Sequence, residues 1–299
     1  MSSLSFTCNV CGKHCENVPI EHFGRETPSC SLCGSTVRMR SIVHILSLEL
    51  YGESKTLEEF IPSAMVAGVG LSDWNGYADR IKAVLPGYSN TYYHQEPFLD
   101  ICNVGKLHLG RYDFLISTEV FEHVPPPAES AFKGAFDLLK PGGFMVFTVP
   151  YNINTDHIEH FPDLQEYGIV KLGADFLLVN RGVDGAVTVR GDLVFHGGPG
   201  ETLEMRVFSQ ESVESHLRAA GFEDITLLED DVPEMGIIFK DKWSLPFLAR
   251  KPLSHDGEAA VLPIVAAPAS GVRLPRRGVT ALPRAMAGRL KRRILARFR

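Results

Sequence analysis

Four cysteines stand in two short pairs, Cys8-x-x-Cys11 and Cys30-x-x-Cys33, with 18 residues between the pairs. Each pair is followed by a glycine, Gly12 and Gly34, as suits a tight turn whose backbone amides point at thiolate sulfur. Two such turns facing each other supply a closed tetrahedral site of four sulfurs, the arrangement of a structural Zn2+ in a segment too short to build its own core. A disulfide pair is the alternative, and a cytoplasmic chain disfavours it. His14 and Cys15 lie just beyond the first pair and read as bystanders, and Cys102 as a small buried apolar residue. A second group, Glu119-x-x-Glu122-His123, places two carboxylates and an imidazole at i, i+3 and i+4, one face of a helical turn. Hard oxygen ligands with one imidazole suit Mg2+ or Mn2+ better than zinc. Without a metal, His123, His157 or His160 could act as general base, since imidazole titrates near neutral pH.

The elements that position these residues are read from periodicity. A helix over Ser35–Tyr51 follows the second cysteine pair and ends at Gly52, with Arg38 and Arg40 at its start facing solvent. From about residue 64 short apolar runs alternate with amphipathic stretches, which predicts an α/β fold with a parallel sheet. Strands are expected at Ala64–Val69, Thr91–His94, Tyr112–Thr118 and Phe144–Val149, with a short one at Asp100–Asn103. Helices are expected from Ser72 to Leu85 and over Ala128–Leu139, the latter closed by Lys140-Pro141-Gly142-Gly143. Residues 151–207 break the rhythm and carry a hairpin, Asp175–Asn180 and Ala186–Arg190, turning at Val183-Asp184-Gly185. Ser209 caps a helix ending at Gly221, and strands at Ile225–Leu228 and Leu245–Ala249 complete the set.

Tyr112-Asp113-Phe114-Leu115-Ile116-Ser117, Phe121-Glu122-His123-Val124-Pro125, Leu138-Leu139-Lys140-Pro141-Gly142-Gly143 and Val146-Phe147-Thr148-Val149-Pro150, in this order, resemble the central block of class I S-adenosylmethionine-dependent methyltransferases. The likeness spans roughly residues 60–250 and implies a seven-stranded, mostly parallel Rossmann-like sheet whose last strand is antiparallel. It implies S-adenosyl-L-methionine at the carboxyl ends of the strands, near Gly68, Gly70, Glu119 and the segment from His94 to Asp100. Glu96 would accept from the ribose hydroxyls, and Asp100 and Ile101 would address the adenine. The first loop departs from the family pattern: Val66 stands in place of an acid and Ser72 in place of a third glycine. Glu119-x-x-Glu122-His123 resembles the metal motif of small-RNA 2′-O-methyltransferases and of ubiquinone-pathway O-methyltransferases. That likeness implies a ligand set of Glu119, Glu122, His123 and His160. The alternative is the Glu-His pair common in the superfamily, which binds no metal. His196-Gly197-Gly198 either lines an acceptor pocket or makes a glycine turn.

The chain of 299 residues has a net charge of −6. Ten of its thirty Lys and Arg, and none of its thirty-six acids, lie from Arg273 onward, which leaves twenty bases against thirty-six acids in residues 1–272. A body of that charge is a poor binder of nucleic acid. No apolar run reaches the ~20 residues of a membrane span, and the N-terminal residues lack a basic stretch followed by an apolar one, so no secretory signal and a cytoplasmic protein are expected. The expected organisation is a zinc ribbon over 1–36, a connecting helix over 37–60, a methyltransferase domain over 61–250 with its insertion at 151–207, and an Ala/Pro-rich linker and basic tail over 251–299. The tail could touch an anionic membrane surface or a protein partner. Together these features predict methyl transfer to oxygen of a small-molecule or glycan acceptor. The alternatives are an RNA methyltransferase with a zinc module and a noncatalytic zinc-ribbon interaction protein.

Overall fold

The computed structural model describes residues 2–153 and 155–253; the basic tail and nearly all of the linker expected before it lie outside the described residues. The chain opens with a hairpin, β1 (Ser3–Thr7) and β2 (His14–Pro19), followed by α1 (Val37–Tyr51). Thr36 caps α1 by accepting from the Met39 amide, and Gly52 ends it with φ +74°, the left-handed turn that glycine adopts without a steric penalty. β3 (Ala67–Leu71), α2 (Asn75–Val84), β4 (Gly87–Thr91), β5 (Tyr112–Thr118), α3 (Glu129–Leu138) and β6 (Leu139–Thr148) make the alternating block. The inserted segment holds β7 (Tyr151–Asn152), β8 (Ile158–Glu159), β9 (Glu166–Leu172), β10 (Asp175–Arg181), β11 (Val187–Arg190), β12 (Phe195–His196) and β13 (Thr202–Leu203). β14 (Arg206–Ser209), α4 (Gln210–Ala219), β15 (Glu223–Leu227) and β16 (Phe247–Arg250) follow.

The central sheet has the order β15-β16-β6-β5-β3-β4, with β3, β4, β5 and β6 parallel. β16 runs antiparallel to both β6 and β15. The strand count is six among the described residues, not the seven expected. Asp100–Asn103 is a turn, pinned by the Cys102 amide donating to Asp100 Oδ1 at 2.9 Å. β4 also begins four residues earlier than expected. Pro86-Gly87 does stop the helix, but no loop follows: the strand starts at Gly87, whose missing side chain lets the Val66 carbonyl approach, 2.3 Å from where a Cβ would sit. β6 likewise absorbs Lys140-Pro141-Gly142-Gly143 as a register shift, since Tyr112 pairs with Leu139 and Phe114 with Phe144.

Alternation along the buried strands builds a three-layer molecule. Phe114, Ile116, Phe144 and Val146 face a core shared with α1, α2 and the N-terminal Phe6, Val10 and Phe23. Leu115, Met145, Phe147 and Phe247 face α3 and α4. Asp113, fully buried at the start of β5, accepts from the Ala67 amide and from Lys140 Nζ, each at 2.8–2.9 Å. This pair ties the amino ends of β3, β5 and β6, so the Tyr-Asp and Leu-Lys-Pro-Gly-Gly motifs hold the sheet at the end opposite the strands' carboxyl ends. The inserted hairpin forms as expected between β10 and β11, and β9 adds a third strand on its other edge.

Candidate functional site

The N-terminal cysteines come together as their spacing requires. Cys8 and Cys33 Sγ lie 3.7 Å apart, and Cys11 and Cys30 Sγ 3.6 Å apart. A disulfide bond needs about 2.0 Å, whereas sulfurs at ~2.3 Å around a tetrahedral ion stand about 3.8 Å from each other. Gly12 and Gly34 adopt φ +69° and +72°, and their amides donate to the carbonyls of Cys8 and Cys30, closing the two knuckles. A hydrogen bond from Cys8 holds the Cys33 thiol down at about 4, while the same bond and burial push Cys8 up; sulfurs so crowded share protons unless a cation replaces them. The donor set fits Zn2+. Cys15 Sγ lies 3.8 Å from Cys30 Sγ at the edge of the cluster.

Arg40 overturns the solvent-facing expectation. It is fully buried, its guanidinium donating to the carbonyls of Ser35 and Gly236 and to the hydroxyls of Ser35 and Ser29. Burial lowers its pKa, and the thiols of Cys8, Cys30, Cys33 and Cys15 oppose that shift. Four thiolates around a metal ion would carry surplus negative charge, which a buried cation beside them would offset. Arg38 is also drawn inward, paired through both nitrogens with Glu26 at 2.6 and 2.8 Å.

At the other end of the sheet, strand order reverses between β3 and β5, the switch point at which open α/β sheets bind ligands. The first residue beyond each strand, Ser72 and Glu119, has left-handed backbone, φ +54° and +57°. Such strain costs on the order of 1–3 kcal/mol and gathers at functional sites. Ser72 stands where the family pattern has glycine, and its backbone keeps the conformation glycine would take. Glu119 therefore does not share a helical turn with Glu122. Its Oε1 accepts from Arg25 at 2.6 Å and from Thr148 Oγ1 at 2.9 Å, and the helical turn spans only Phe121–His123. Arg25, carried in from the N-terminal module, also donates to the Ser244 carbonyl and lies 5.3 Å from the Trp243 ring centre.

Gly68 and Gly70, expected in the loop, lie within β3 and make room for the protein's own side chains. A Cβ on Gly68 would meet the Phe114 ring at 2.1 Å, and one on Gly70 would meet Asp73 and Tyr88 at 2.2 Å. Asp73 fills the space beside Gly70. Fully buried, it accepts from Tyr77 at 2.7 Å and Tyr88 at 2.6 Å, and burial raises its pKa to about 7 against the pull of those hydroxyls. Glu96 lies exposed in the loop after β4, its carboxylate accepting from the Phe98 amide at 3.0 Å. Asp100 holds its own turn, and Ile101 is buried with its carbonyl against Gly134 of α3.

Beyond Glu119 the histidines divide. His123 Nδ1 lies 2.8 Å from the Leu203 carbonyl, which can only accept, so Nδ1 carries the proton and Nε2 is free. Burial lowers the His123 pKa and keeps the ring neutral. His160 Nε2 and His196 Nε2 each lie 2.9 Å from one oxygen of Glu204. Burial opposes ionisation of Glu204, but these two hydrogen bonds hold it down at about 2. His157 belongs elsewhere, between Glu159 and Ser212 at 3.4 Å from each. Of the expected second metal set, the structure groups Glu122 and His123 with His196, not with Glu119 or His160. Arg25 claims Glu119 and Glu204 claims His160. The His-Gly-Gly pattern at 196–198 was the sequence signal for the replacement.

A methyltransferase-domain family matches residues 63–227, more than half of the chain, and the protein belongs to that family. A ubiquinone biosynthesis O-methyltransferase of Shewanella halifaxensis is 37% identical over 71 residues, 24% of this chain and 25% of that protein; the match spans about a quarter of the curated relative's length. The S-adenosylmethionine-bound amino pentose methyltransferase CalS10 of Micromonospora echinaspora is 13% identical, with a TM-score of 0.36 over 62% of this chain and 83% of that one. The sugar N-methyltransferase KedS8 of a Streptoalloteichus species is 12% identical, with a TM-score of 0.37 over 63% and 81%. Among the described residues no helix is long and apolar enough to cross a membrane.

Proposed function

We propose that the protein is an S-adenosyl-L-methionine-dependent methyltransferase that methylates an oxygen of a small-molecule or glycan acceptor. The observation that carries this reading is the reversal of strand order between β3 and β5, with a left-handed residue directly after each strand, in a chain of the methyltransferase-domain family. Ser72, at the carboxyl end of β3, would line the cofactor's amino-acid end, with Gly68 and Gly70 packing the strand behind it, Glu96, Asp100 and Ile101 toward the nucleoside and Glu119 between the two. Bound there, the cofactor supplies a sulfonium methyl group, a strong electrophile that needs little beyond an aligned nucleophile. With no metal ion on it, neutral His123, its Nε2 unprotonated, is suited to take the proton of an acceptor hydroxyl. His160 stands behind it through Glu204 and His196, and His157 anchors the start of α4 through Ser212. Oxygen as the acceptor atom is supported by the short match to the ubiquinone O-methyltransferase. Cys8, Cys11, Cys30 and Cys33 would hold a structural Zn2+.

Mass spectrometry of ligands released from the purified protein tests the reading. The expected result is S-adenosylmethionine or its demethylated product, with tritiated methyl label passing to hydroxyl-bearing small molecules or sugars. Label found only in bulk RNA would replace the acceptor class. Neither ligand nor transfer would leave a noncatalytic protein.

A further inference from the structure

Glu122 is 1% exposed, and among the described residues it is the one carboxylate whose two oxygens are both buried without a hydrogen-bond partner. A buried carboxylate in that condition is costly, and such groups are normally paired or bound to a cation. His123 Nε2, 3.6 Å from Glu122 Oε1, carries a lone pair because Nδ1 is committed to the Leu203 carbonyl. Burial pushes the Glu122 carboxyl well above the ordinary range, so with no cation present it keeps a proton facing that lone pair, and a metal ion would displace that proton. His196, on β12 of the inserted segment, completes the group: its ring packs edge-on to His123 with centres 4.7 Å apart, and one ligand atom from each of the three residues lies within 4.8 Å of the others.

We propose that Glu122, His123 and His196 form a site for one divalent transition-metal ion, which clasps the inserted segment to the turn after β5. Two imidazoles and one carboxylate favour Zn2+, Fe2+ or Co2+ over Mg2+ or Ca2+, which moves the expected metal class away from the Mg2+ or Mn2+ inferred from two carboxylates and one imidazole. Ligand atoms at ~2.1 Å around a tetrahedral ion stand about 3.4 Å apart, so the three need to close by little more than about 1 Å. The frame for that closure is already rigid. The Met205 amide donates to the Glu122 carbonyl at 2.8 Å, and buried Arg206 joins the Phe121 carbonyl to both oxygens of Glu159. Glu204 is a positioning residue, orienting His196 through one oxygen and His160 through the other. Three protein ligands leave coordination positions open, as in metal sites that bind a substrate oxygen.

The test is a zinc count on the full chain after dialysis against micromolar Zn2+, comparing wild type with Glu122→Gln and His196→Ala. The wild type is expected to hold one zinc ion more than either variant, whatever the cysteine site contributes. His196 sits on a partly exposed hairpin, so its variant reports even where Glu122→Gln fails to fold. Cobalt loading supplies a second readout: His196→Ala keeps the thiolate charge-transfer band of the cysteine site while losing one Co2+. Equal metal counts in wild type and His196→Ala overturn the proposal. The count does not depend on cofactor binding, so failure of the methyl-transfer reading leaves it intact, and the reverse also holds.

Discussion

Replacing Arg40 with Met isolates the account of the N-terminal module. The substitution keeps the buried stem and removes the guanidinium, so little cavity forms. Four oxygens lose a donor: the Ser35 and Gly236 carbonyls and the Ser29 and Ser35 hydroxyls. The hydroxyls can rotate toward other partners and the Ser35 carbonyl keeps the amides of Ser29 and Cys30, but the Gly236 carbonyl is left without a donor, at about 1–3 kcal/mol. The cysteine cluster also loses the cation beside it, and breaking a buried charge pair costs roughly 3–5 kcal/mol. Because these terms overlap, the expected loss is about 3–5 kcal/mol. For a structured region of this size that lowers Tm by roughly 6–20 °C. Arg40→Lys should fall in between, since a single ammonium cannot span both carbonyls. Scanning calorimetry, run with a chromophoric chelator assay of zinc release, reads both effects. Arg40→Met should melt early and release zinc faster. A Tm within about 2 °C of wild type with unchanged release would refute the charge-compensation argument.

Two further outcomes follow from the same geometry. Asp73 holds its proton more tightly in the folded state than in the unfolded chain, with a folded pKa of about 7 against an ordinary 3.8. Its contribution to stability is therefore complete below pH 4 and lost as pH rises to 7, by up to about 4 kcal/mol; urea titrations of Asp73→Asn should be flat across that window, and an unchanged pH slope would count against it. Gly68→Ala drives a methyl into Phe114, which cannot slide because it stacks between Tyr88 and Phe144. The cost should be about 2–3 kcal/mol, close to a 1 M fall in the urea midpoint, and a shift under about 0.3 M would mean that the ring moves aside.

Much of this structure could be read before any coordinates. β5 has an apolar run, Phe114–Ile116, at its centre and is buried throughout, so burial and the apolar pattern name the same element. The cysteine pairs needed only their spacing. The misreadings share a cause, which is that local signals serve more than one purpose. Pro86-Gly87 and Lys140-Pro141-Gly142-Gly143 do end helices, yet strands begin within or directly after them because long-range pairing outweighs turn preference. Glu119 has helical spacing to Glu122, but its left-handed backbone aims it at Arg25, a partner 94 residues away. Arg40 reads as a surface residue unless the charge of the cysteine cluster is counted with it. His196 could be flagged as part of a glycine turn, but its approach to His123 depends on how the inserted segment folds back. Contacts across such separations leave no periodic trace in the chain.

Cofactor binding at the carboxyl ends of β3 and β5 is the central claim, and calorimetric titration of the purified protein with S-adenosylhomocysteine measures it directly. The account predicts one site per chain with micromolar affinity, about −8 kcal/mol. No binding heat at millimolar ligand, from protein that remains folded, would contradict it.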